Sequence, residues 1–418
     1  MSWDCVKIGD CCEITSSKRI FFSEYVESGV PFYRSKEIIE SSNGQTISEP
    51  LFISQEKYDV IKKNFGVPQP GDMLLTSVGT IGVPYVVKEG DHFYFKDGNL
   101  TWFRNFNGKL LPQYLYYWVR SAEGQGVLNN TTIGSSQKAL TIASLKGLEI
   151  PCPPVDVQYR IVEILSGYDD LIENNQKQIK LLEEAAQRLY KEWFVDLRFP
   201  GHETTPITDG IPEGWERKTV AECLSFHGNG GWGKETPMGK NEHPGKVIRG
   251  TDIEDVKAGR FDDVPLRYHT DNDIKKRTLK NYDLVFELSN GNINNIGRCL
   301  LVDDLVLKNC GENTICASFC KLLRPADQLH SLVLYWEIQD MQTSGRMLPF
   351  KKHGANGINN FDFDGFLNHE LLIPNKADML APIEAIMAKI SIIQGQFALL
   401  TDARDRLLPK LMNGEIEV

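Results

Sequence analysis

Two long stretches of the sequence place apolar residues at alternating steps of three and four positions. The first stretch has them at Ile161, Leu165, Tyr168, Ile172, Ile179, Leu182, Ala186 and Leu189. The second stretch has them at Ile383, Ile386, Ile390, Ile393, Phe397, Leu400 and Leu407. One polar residue interrupts each series, Asn175 in the first and Arg404 in the second. This spacing is typical of helices that pack along a single apolar seam, so the sequence predicts two long coiled-coil helices.

Residues that favour helix starts lie before both predicted helices. Pro153-Pro154 and Asp156 precede or open the first helix, and Asp378 with Pro382 opens the second. Pro409 lies inside the second apolar pattern. Because proline lacks an N–H donor and crowds the preceding turn, we expect it to kink the second helix or to end it about one turn earlier.

Two globular parts, residues 1–150 and 201–372, precede the helices. Short apolar and β-branched runs such as 284–288 are bounded by Gly, Asn and Asp, which indicates strands and turns. The predicted fold class is α+β, with two mixed α/β domains in tandem. A long helix follows each domain, within residues 151–200 and 373–418.

Four sequence landmarks recur in the same order in the two globular parts. The matched pairs are Trp3 with Trp215, Arg34 with Arg249, Asp72 with Asp283, and Ile150-Pro151 with Ile373-Pro374. Recurrence in one order indicates a tandem duplication of a globular part followed by a helix.

The seam of each helix needs an apolar partner, and two arrangements supply one. If each globular part is compact, its ends lie close together, and the two helices then pack antiparallel. At 1.5 Å per residue, the first helix spans roughly 50 Å. In the alternative arrangement, each helix packs on its own globular part. Because the apolar stripe is narrow and continuous, the sequence favours the antiparallel coiled coil.

The composition predicts a folded protein with no strong attraction for polyanions. Hydrophobic residues make up 41% of the chain and charged residues 24%, and the net charge is −10. No segment is basic, so binding of DNA requires local patches or a basic partner. No apolar run is long enough for a membrane helix, and the start of the chain does not resemble an export signal. The odd number of cysteines, 9, favours free thiols in a reducing cytoplasm.

Signatures of catalysis and of metal binding are absent or weak. No Gly-Lys pair is followed by Ser or Thr, as a nucleotide-binding phosphate loop requires. The glycines of 228–233 fit the spacing of a dinucleotide motif, but Pro237 interrupts any following helix, which favours an irregular exposed loop. Four cysteines lie within 299–320 without a Cys-x-x-Cys pair, which favours buried thiols over a zinc site. We therefore predict no catalytic residue and no metal ligand.

Three polar loops recur at equivalent places in both copies and are the candidate nucleic-acid contacts. Asn, Gln, Lys and Arg can read base edges, whereas Ser, Thr and backbone N–H groups can hold phosphates. The candidates in the first copy are Lys18, Arg19, Arg34, Thr76, Ser77, Thr80, Ser135, Ser136, Gln137 and Lys138. The candidates in the second copy are Trp232, Lys234, Arg249, Asn290, Asn292, Asn294, Lys351, Lys352, Asn356 and Asn359. Such clusters are also ordinary turn chemistry, so the interpretation depends on their recurrence.

Three segments next to the long helices carry a family resemblance, together with the tandem plan. They are Ile150-Pro151-Cys152-Pro153-Pro154, Leu189-Tyr190-Lys191-Glu192-Trp193-Phe194-Val195-Asp196 and Arg406-Leu407-Leu408-Pro409-Lys410-Leu411-Met412-Asn413-Gly414. On these residues the chain resembles, over essentially its whole length, the specificity subunit of a type I restriction–modification system. The tail of that family carries a proline at the position of Pro409.

The resemblance implies two target-recognition domains, each reading one half of a split site in double-stranded DNA. It implies that the antiparallel helices set the unread gap and that this chain is a non-catalytic subunit of a phage-defence complex. Its partners are then modification (methyltransferase) subunits, two by pseudo-symmetry, and restriction (ATP-dependent translocase and nuclease) subunits reached through the complex. The resemblance places S-adenosylmethionine, ATP and Mg²⁺ on these partners and no cofactor on this chain.

Two functions of other classes stay open on the sequence. One is a single-chain DNA methyltransferase or nuclease with an unrecognised catalytic domain. The other is a helical scaffold whose globular ends bind proteins.

Overall fold

The computed structural model of the chain describes residues 3–42, 47, 49–134, 138–354 and 357–418. Its internal contacts divide it into two units, Met1–Glu173 with Leu400–Val418 and Asn174–Leu399. Each unit therefore contains one globular part and a portion of both long helices.

The described residues of the first globular part form short strands in three sheets. The strands are β1 (Cys5–Lys7), β2 (Glu13–Thr15), β3 (Tyr25–Val26), β4 (Val30–Tyr33), β5 (Leu51–Ile53), β6 (Met73–Thr76), β7 (Pro84–Val86), β8 (Tyr94–Phe95), β9 (Leu100–Arg104) and β10 (Glu149–Pro151). One sheet has the order β2-β9-β6-β7, a second has β3-β5-β4-β8, and a third joins β1 to β10. The β4–β8 pair is parallel.

Helices cover these sheets and supply the apolar core. They are α1 (Ser35–Ser42), α2 (Gln55–Phe65), α3 (Pro112–Arg120), α4 (Ala122–Thr131) and α5 (Ile142–Lys146), and the long helix α6 (Val155–Tyr190) follows. Helix α3 begins at Pro112, whose fixed φ suits the first helical position. Its residues Tyr114 and Trp118 are buried in one core cluster with Met73 and Phe103 of the first sheet.

The second globular part repeats this plan with further strands and helices. The strands are β11 (Ile207–Thr208), β12 (Ile211–Pro212), β13 (Trp215–Thr219), β14 (Leu224–Asn229), β15 (His243–Ile248), β16 (Leu266–His269), β17 (Leu284–Glu287), β18 (Ser289–Asn290), β19 (Cys299–Leu301), β20 (Ile315–Cys316), β21 (Cys320–Pro325), β22 (Lys351–Lys352), β23 (Asn359–Phe361) and β24 (Glu370–Pro374). The helices are α7 (Val220–Cys223), α8 (Ile253–Lys257), α9 (Asp271–Arg277), α10 (Asp304–Cys310), α11 (Gln328–Ser344) and α12 (Phe363–Leu367).

The two globular parts share one strand order, which confirms the predicted tandem duplication. The sheet β14-β21-β17-β19 repeats β2-β9-β6-β7, and the parallel pair β15–β20 repeats β4–β8. Cys5 lies opposite Pro151 in the first part, and Trp215 lies opposite Pro374 in the second. The counterpart of Trp215 in the fold is therefore Cys5, and the predicted match of Trp215 with Trp3 is wrong by two residues.

The second long helix, α13 (Ala381–Met412), runs antiparallel to α6. In the first unit, Ile161 near the start of α6 shares a core cluster with Leu411 near the end of α13. In the second unit, Ile179 in the later part of α6 clusters with Ile390 and Ile393 in the earlier part of α13. The predicted antiparallel coiled coil is therefore confirmed. Each helix also contributes residues to a globular core, so the two arrangements considered from the sequence coexist.

All predicted seam residues are at least half-buried. The buried ones are Ile161, Leu165, Ile172, Ile179, Ala186, Ile383, Ile390, Ile393 and Phe397. The half-buried ones are Tyr168, Leu182, Leu189, Ile386, Leu400 and Leu407.

Arg404 interrupts the seam because a carboxylate faces it. The Nη1 atom of Arg404 donates to Asp169 Oδ1 at 2.8 Å. The other oxygen of Asp169 accepts from the Tyr117 hydroxyl at 2.8 Å and lies 3.3 Å from Arg120 Nη1. One side chain of α6 thus joins α13 to α3.

The second helix does not end one turn before Pro409, so that part of the expectation is wrong. Helix α13 continues through Pro409 to Met412. Leu408, Leu411 and Met412 are buried in the core of the first unit. This burial holds the last turn although the proline withholds one hydrogen bond.

In the described part of the chain, one helix, Asp378–Met412, has the length and composition of a membrane span, with a hydropathy of 1.4. Within the second unit, Ile383, Ile390 and Ile393 of this helix are buried in apolar clusters. Protein packing buries 22% of the most apolar stretch of this helix.

Candidate nucleic-acid interface

In the first unit, the three predicted polar loops meet around the turn between β8 and β9. In the first loop, Arg19 Nε donates to Asp97 Oδ2 of that turn at 2.9 Å. In the second loop, Ser77 N donates to the Asn99 carbonyl of the same turn at 2.8 Å. The third loop returns beside the second, since Leu140 N donates to the Ser77 carbonyl at 2.9 Å. The fold therefore gathers loops that are far apart in sequence.

The second unit brings together the equivalent loops around the turn between β20 and β21. Gly231 N in the first loop donates to the Cys316 carbonyl at 2.9 Å. Leu288 N, at the start of the second loop, donates to the Phe319 carbonyl at 2.9 Å. The second and third loops pair with each other in the sheet β18-β23-β22. Both units thus present three loops at one place in a common frame.

The glycines within 228–233 permit a close approach of two backbone segments. A Cβ atom on Gly230 would lie 2.1 Å from the Ala317 carbonyl oxygen and 2.4 Å from that of Cys316. Only glycine lets the chain pass this close to β20 as it leaves β14. The residues form the loop that the sequence predicts, but Gly230 and Gly231 are buried, not exposed.

Arg34 and Arg249 hold equivalent positions between a strand and a helical turn. Arg34 N donates to Glu37 Oε2 at 2.6 Å, and its guanidinium pairs with the same carboxylate. Arg249 N donates to Asp252 Oδ2 at 2.8 Å, and its Nη2 lies 2.6 Å from Asp252 Oδ1. Burial raises the pKa of Glu37, but the hydrogen bonds from Arg34 outweigh it and hold that pKa below its ordinary value. Much of the charge of both arginines is therefore balanced inside the protein.

The second loop of the second unit is shaped by asparagine side chains above a buried carboxylate. Glu287 accepts from Asn290 Nδ2 at 2.7 Å and from Arg298 Nε at 2.8 Å. Asn290 Oδ1 then accepts from Asn292 N at 2.7 Å, and Asn292 Oδ1 accepts from Asn294 N at 3.0 Å. These local bonds fix the loop backbone and leave Asn292 and Asn294 exposed.

Three predicted contacts are buried and hold the loops together. Thr76 Oγ1 accepts from Val83 N at 2.9 Å, and the Ser77 hydroxyl lies 2.6 Å from the Thr101 hydroxyl. Asn359 Nδ2 donates to a carbonyl of the second loop at 3.0 Å. Burial argues against direct contact with nucleic acid by these three side chains.

The remaining predicted contacts differ in exposure. Those with exposed side chains are Lys18, Arg19, Thr80, Lys138, Trp232, Lys234, Asn292, Asn294 and Lys352. Those that are half-buried are Arg34, Arg249, Asn290 and Lys351, and burial lowers the pKa of Lys351. Ser135, Ser136, Gln137 and Asn356 lie outside the described residues.

Aromatic rings accompany cations in both loop clusters. Lys18 Nζ lies 4.6 Å from the centre of the Phe65 ring. The Arg267 guanidinium lies 4.6 Å from the centre of the Trp232 ring, which is 41% exposed. An exposed ring beside a cation suits a nucleotide, because the base offers a flat face and the phosphate a negative charge.

Sequence reasoning misses the turn around which the loops gather. Asn99 directly precedes β9 and Phe319 directly precedes β21, and both carbonyls accept an N–H from the second loop. Phe319 is nevertheless 62% exposed. In the sequence it looks like one more apolar residue at the start of a buried strand, so hydrophobicity gives no signal for it.

The cysteines of 299–320 are poor metal ligands. Cys299, Cys310, Cys316 and Cys320 are buried free thiols. Burial raises the pKa of Cys299 and of Cys316 to about 12, so both stay protonated at neutral pH. Within the described ranges, no group of three or more His, Cys, Asp and Glu side chains is placed to hold a metal ion.

Residues 1–184 match the sequence family described as the Type I restriction modification DNA specificity domain. The chain is 26% identical over 442 residues to the specificity subunit of the type I restriction enzyme MjaIX from Methanocaldococcus jannaschii, with 100% of this chain and 94% of the relative covered. It is 30% identical over 194 residues to a putative type I restriction enzyme specificity subunit from Haemophilus influenzae, with 46% of each chain covered.

A solved structure shares the fold. The crystal structure of the type I restriction–modification S subunit from M. genitalium superimposes with a TM-score of 0.55 at 14% identity. The match covers 98% of this chain and 96% of that subunit. The likeness therefore extends over both repeats and both long helices.

Proposed function

We propose that the chain is a specificity subunit of a type I restriction–modification system, on its likeness to that family over residues 1–184 and to the MjaIX specificity subunit over its whole length. It is the non-catalytic DNA-recognition subunit of such a complex. Each loop cluster reads one half of a split site in double-stranded DNA. The α6–α13 pair sets the length of the unread gap.

One observation carries the proposal: the two repeats present different loops on the same frame. The strand order and the turn before β9 or β21 recur, whereas the residues around that turn change. Thr76 ends β6 where Glu287 ends β17, and Asn99 stands where Phe319 stands. A constant arrangement of strands with variable loops is expected of two globular parts that recognise different base sequences.

The charge of the chain requires partners for tight DNA binding. A net charge of −10 gives the long-range field the wrong sign for attracting a duplex. Modification subunits, one for each repeat, supply the missing positive charge and carry S-adenosylmethionine. Restriction subunits carry ATP and Mg²⁺. Because the two globular parts are joined in one chain, the second half-site contact is intramolecular. This raises the affinity for DNA and the discrimination between sites with different gap lengths.

Methylation mapping tests the proposal. In a host that carries the modification subunit, adding this chain should produce methylation at one bipartite sequence with a fixed gap. Without the chain, that methylation should be absent. As a control, the purified chain with S-adenosylmethionine should transfer no methyl group. Methyl transfer by the chain alone would establish the single-chain enzyme instead, and a complex that footprints no DNA would favour the scaffold.

Exchange of one globular part tests whether each repeat reads its own half-site. Replacing residues 1–150 with the first domain of another specificity subunit should change one half-site only. The second half-site should keep its sequence, because its loops lie in the other unit. A change in both half-sites would contradict independent reading by the two repeats.

A further inference from the structure

The turns before β9 and β21 place two chemically different side chains at one structural position. Thr76 pairs with Leu100, and Glu287 pairs with Cys320, so β9 and β21 have the same register against β6 and β17. The residue one position earlier is Asn99 in the first unit and Phe319 in the second. Both backbones are fixed by an N–H of the second loop.

Phe319 differs from the phenylalanines that are buried beside its sheet. Phe286, Phe361 and Phe366 pack against one another in the core, with ring centres 4.9 to 5.7 Å apart. Phe319 is 62% exposed in the middle of the polar loops. Exposing so much of an aromatic ring costs hydrophobic free energy, which a contact with a ligand would recover.

We propose that Asn99 and Phe319 are base-reading residues, each for one base pair of its own half-site. This inference rests on the proposed function. Asn99 offers an amide whose Nδ2 can donate to N7 of adenine and whose Oδ1 can accept from the adenine amino group in the major groove. Phe319 offers an apolar edge that fits the C5-methyl group of thymine. The two half-sites therefore each contain an A·T pair, read through adenine by the first unit and through the thymine methyl by the second.

The exposure of Phe319 and the fixed backbone below it make the assignment specific. The adjacent Cys320 is buried, so the outward direction of the Phe319 side chain follows from the alternation along a strand. Two residues on, Lys321 Nζ donates to Asn229 Oδ1 at 3.2 Å and lies 4.3 Å from the Phe363 ring centre. Residues two apart lie on the same face of a strand, so Lys321 follows Phe319 on one face at a rise of about 7 Å, and its cation can hold a phosphate of the DNA there.

Substitution in the reconstituted complex tests the inference. The assay measures methylation rates on duplexes that carry each base pair in turn at every position of both half-sites. Phe319→Ala should reduce discrimination at one A·T pair of the second half-site on the order of 5- to 100-fold. Phe319→Leu should retain much of it, because leucine also contacts a methyl group. Asn99→Ala should reduce discrimination at one A·T pair of the first half-site only.

Phe226→Ala is the matched control. Phe226 is 40% exposed on β14, where it pairs with Arg324 near the far end of β21. The Phe226→Ala variant should leave the base-pair discrimination at both half-sites unchanged. If Phe319→Ala destabilises the unit in thermal unfolding, Phe319→Leu is compared with Phe319→Gln. Leucine and glutamine are similar in size and differ in polarity, so this comparison measures the same apolar contact.

The outcomes separate this inference from the proposed function. A wild-type complex that methylates no bipartite site overturns the proposed function. A wild-type complex with normal specificity, together with Phe319 variants whose preference is unchanged at every base pair, overturns the inference alone. Equal losses across both half-sites also overturn it, because a base contact acts at one position.

Discussion

Arg404 shows how a charged residue can be part of an apolar helix seam. It is 13% exposed, and its partner Asp169 is shared with Tyr117 and Arg120. Removing the Asp169 carboxylate takes one acid partner from both arginines and leaves Arg404 with Asp405 alone, which costs more than replacing one arginine with an apolar side chain. The single carboxylate is therefore the more critical residue.

Two substitutions test this view. We expect Asp169→Ala to lower the free energy of unfolding by about 2 to 4 kcal/mol. Arg404→Leu should cost less than about 1 kcal/mol, because leucine suits the seam and Asp169 keeps its other two partners. Urea unfolding of the full chain measures both values. Equal losses for the two variants would show that the Arg404–Asp169 pair, and not the shared carboxylate, is the critical contact.

The exposure of single side chains explains which residues of the candidate interface could be predicted from the sequence. Lys18 and Asn292 are polar residues in turns, and they are exposed as the sequence suggests. Thr76 and Ser77 have equally polar side chains, yet neighbouring strands enclose them. Local sequence does not distinguish the two cases, because exposure is decided by strands that are distant along the chain.

At the scale of elements, the α6–α13 pair depends on a few buried isoleucines. Ile390 of α13 is buried in one cluster with Ile179 of α6 and with Ile393. Ile392, two residues further along the same helix, is 58% exposed. The two positions share residue type and helix and differ mainly in burial.

This contrast gives a matched pair of variants. Ile390→Ala should lower the free energy of unfolding by about 2 to 5 kcal/mol, since it removes buried methylene groups and leaves a cavity. Ile392→Ala should change it by less than about 0.5 kcal/mol, because an exposed position loses little. Chemical unfolding followed by circular dichroism compares them. Comparable losses at both positions would contradict the seam as the source of helix pairing.

At the scale of the whole molecule, the proposed role of the helix pair is to set a distance. A heptad added to both helices keeps the seam in phase, because the apolar pattern repeats every seven residues. Duplicating residues 175–181 and 390–396, which lie at the Ile179–Ile390 contact, lengthens each helix by about 10 Å.

We expect this double insertion to change the unread gap and to leave both half-sites intact. Methylation mapping reads the gap directly, and at about 3.4 Å per base pair the added length corresponds to roughly three base pairs. Inserting the heptad in one helix only is the control, and it should abolish activity by breaking the register of the pair. New half-site sequences in the double variant would refute the spacer role.

The sequence by itself determined the repeated plan and the helix seams. Both signals are periodic and local: apolar steps of three and four specify a helix face, and recurring landmarks specify a duplication. The family resemblance also follows from the segments next to the helices. These features can be recognised in the sequence because each helix seam, landmark or family segment is formed by residues that are close together in the chain.

Only the tertiary structure decided which polar residues face outward and what surrounds them. It buried Thr76 and Ser77, paired Arg404 with Asp169, kept α13 helical through Pro409 and exposed Phe319 among the loops. Each of these outcomes depends on strand pairing or core packing between segments that are distant in sequence. Burial is a property of the assembled fold, and no local pattern encodes it fully.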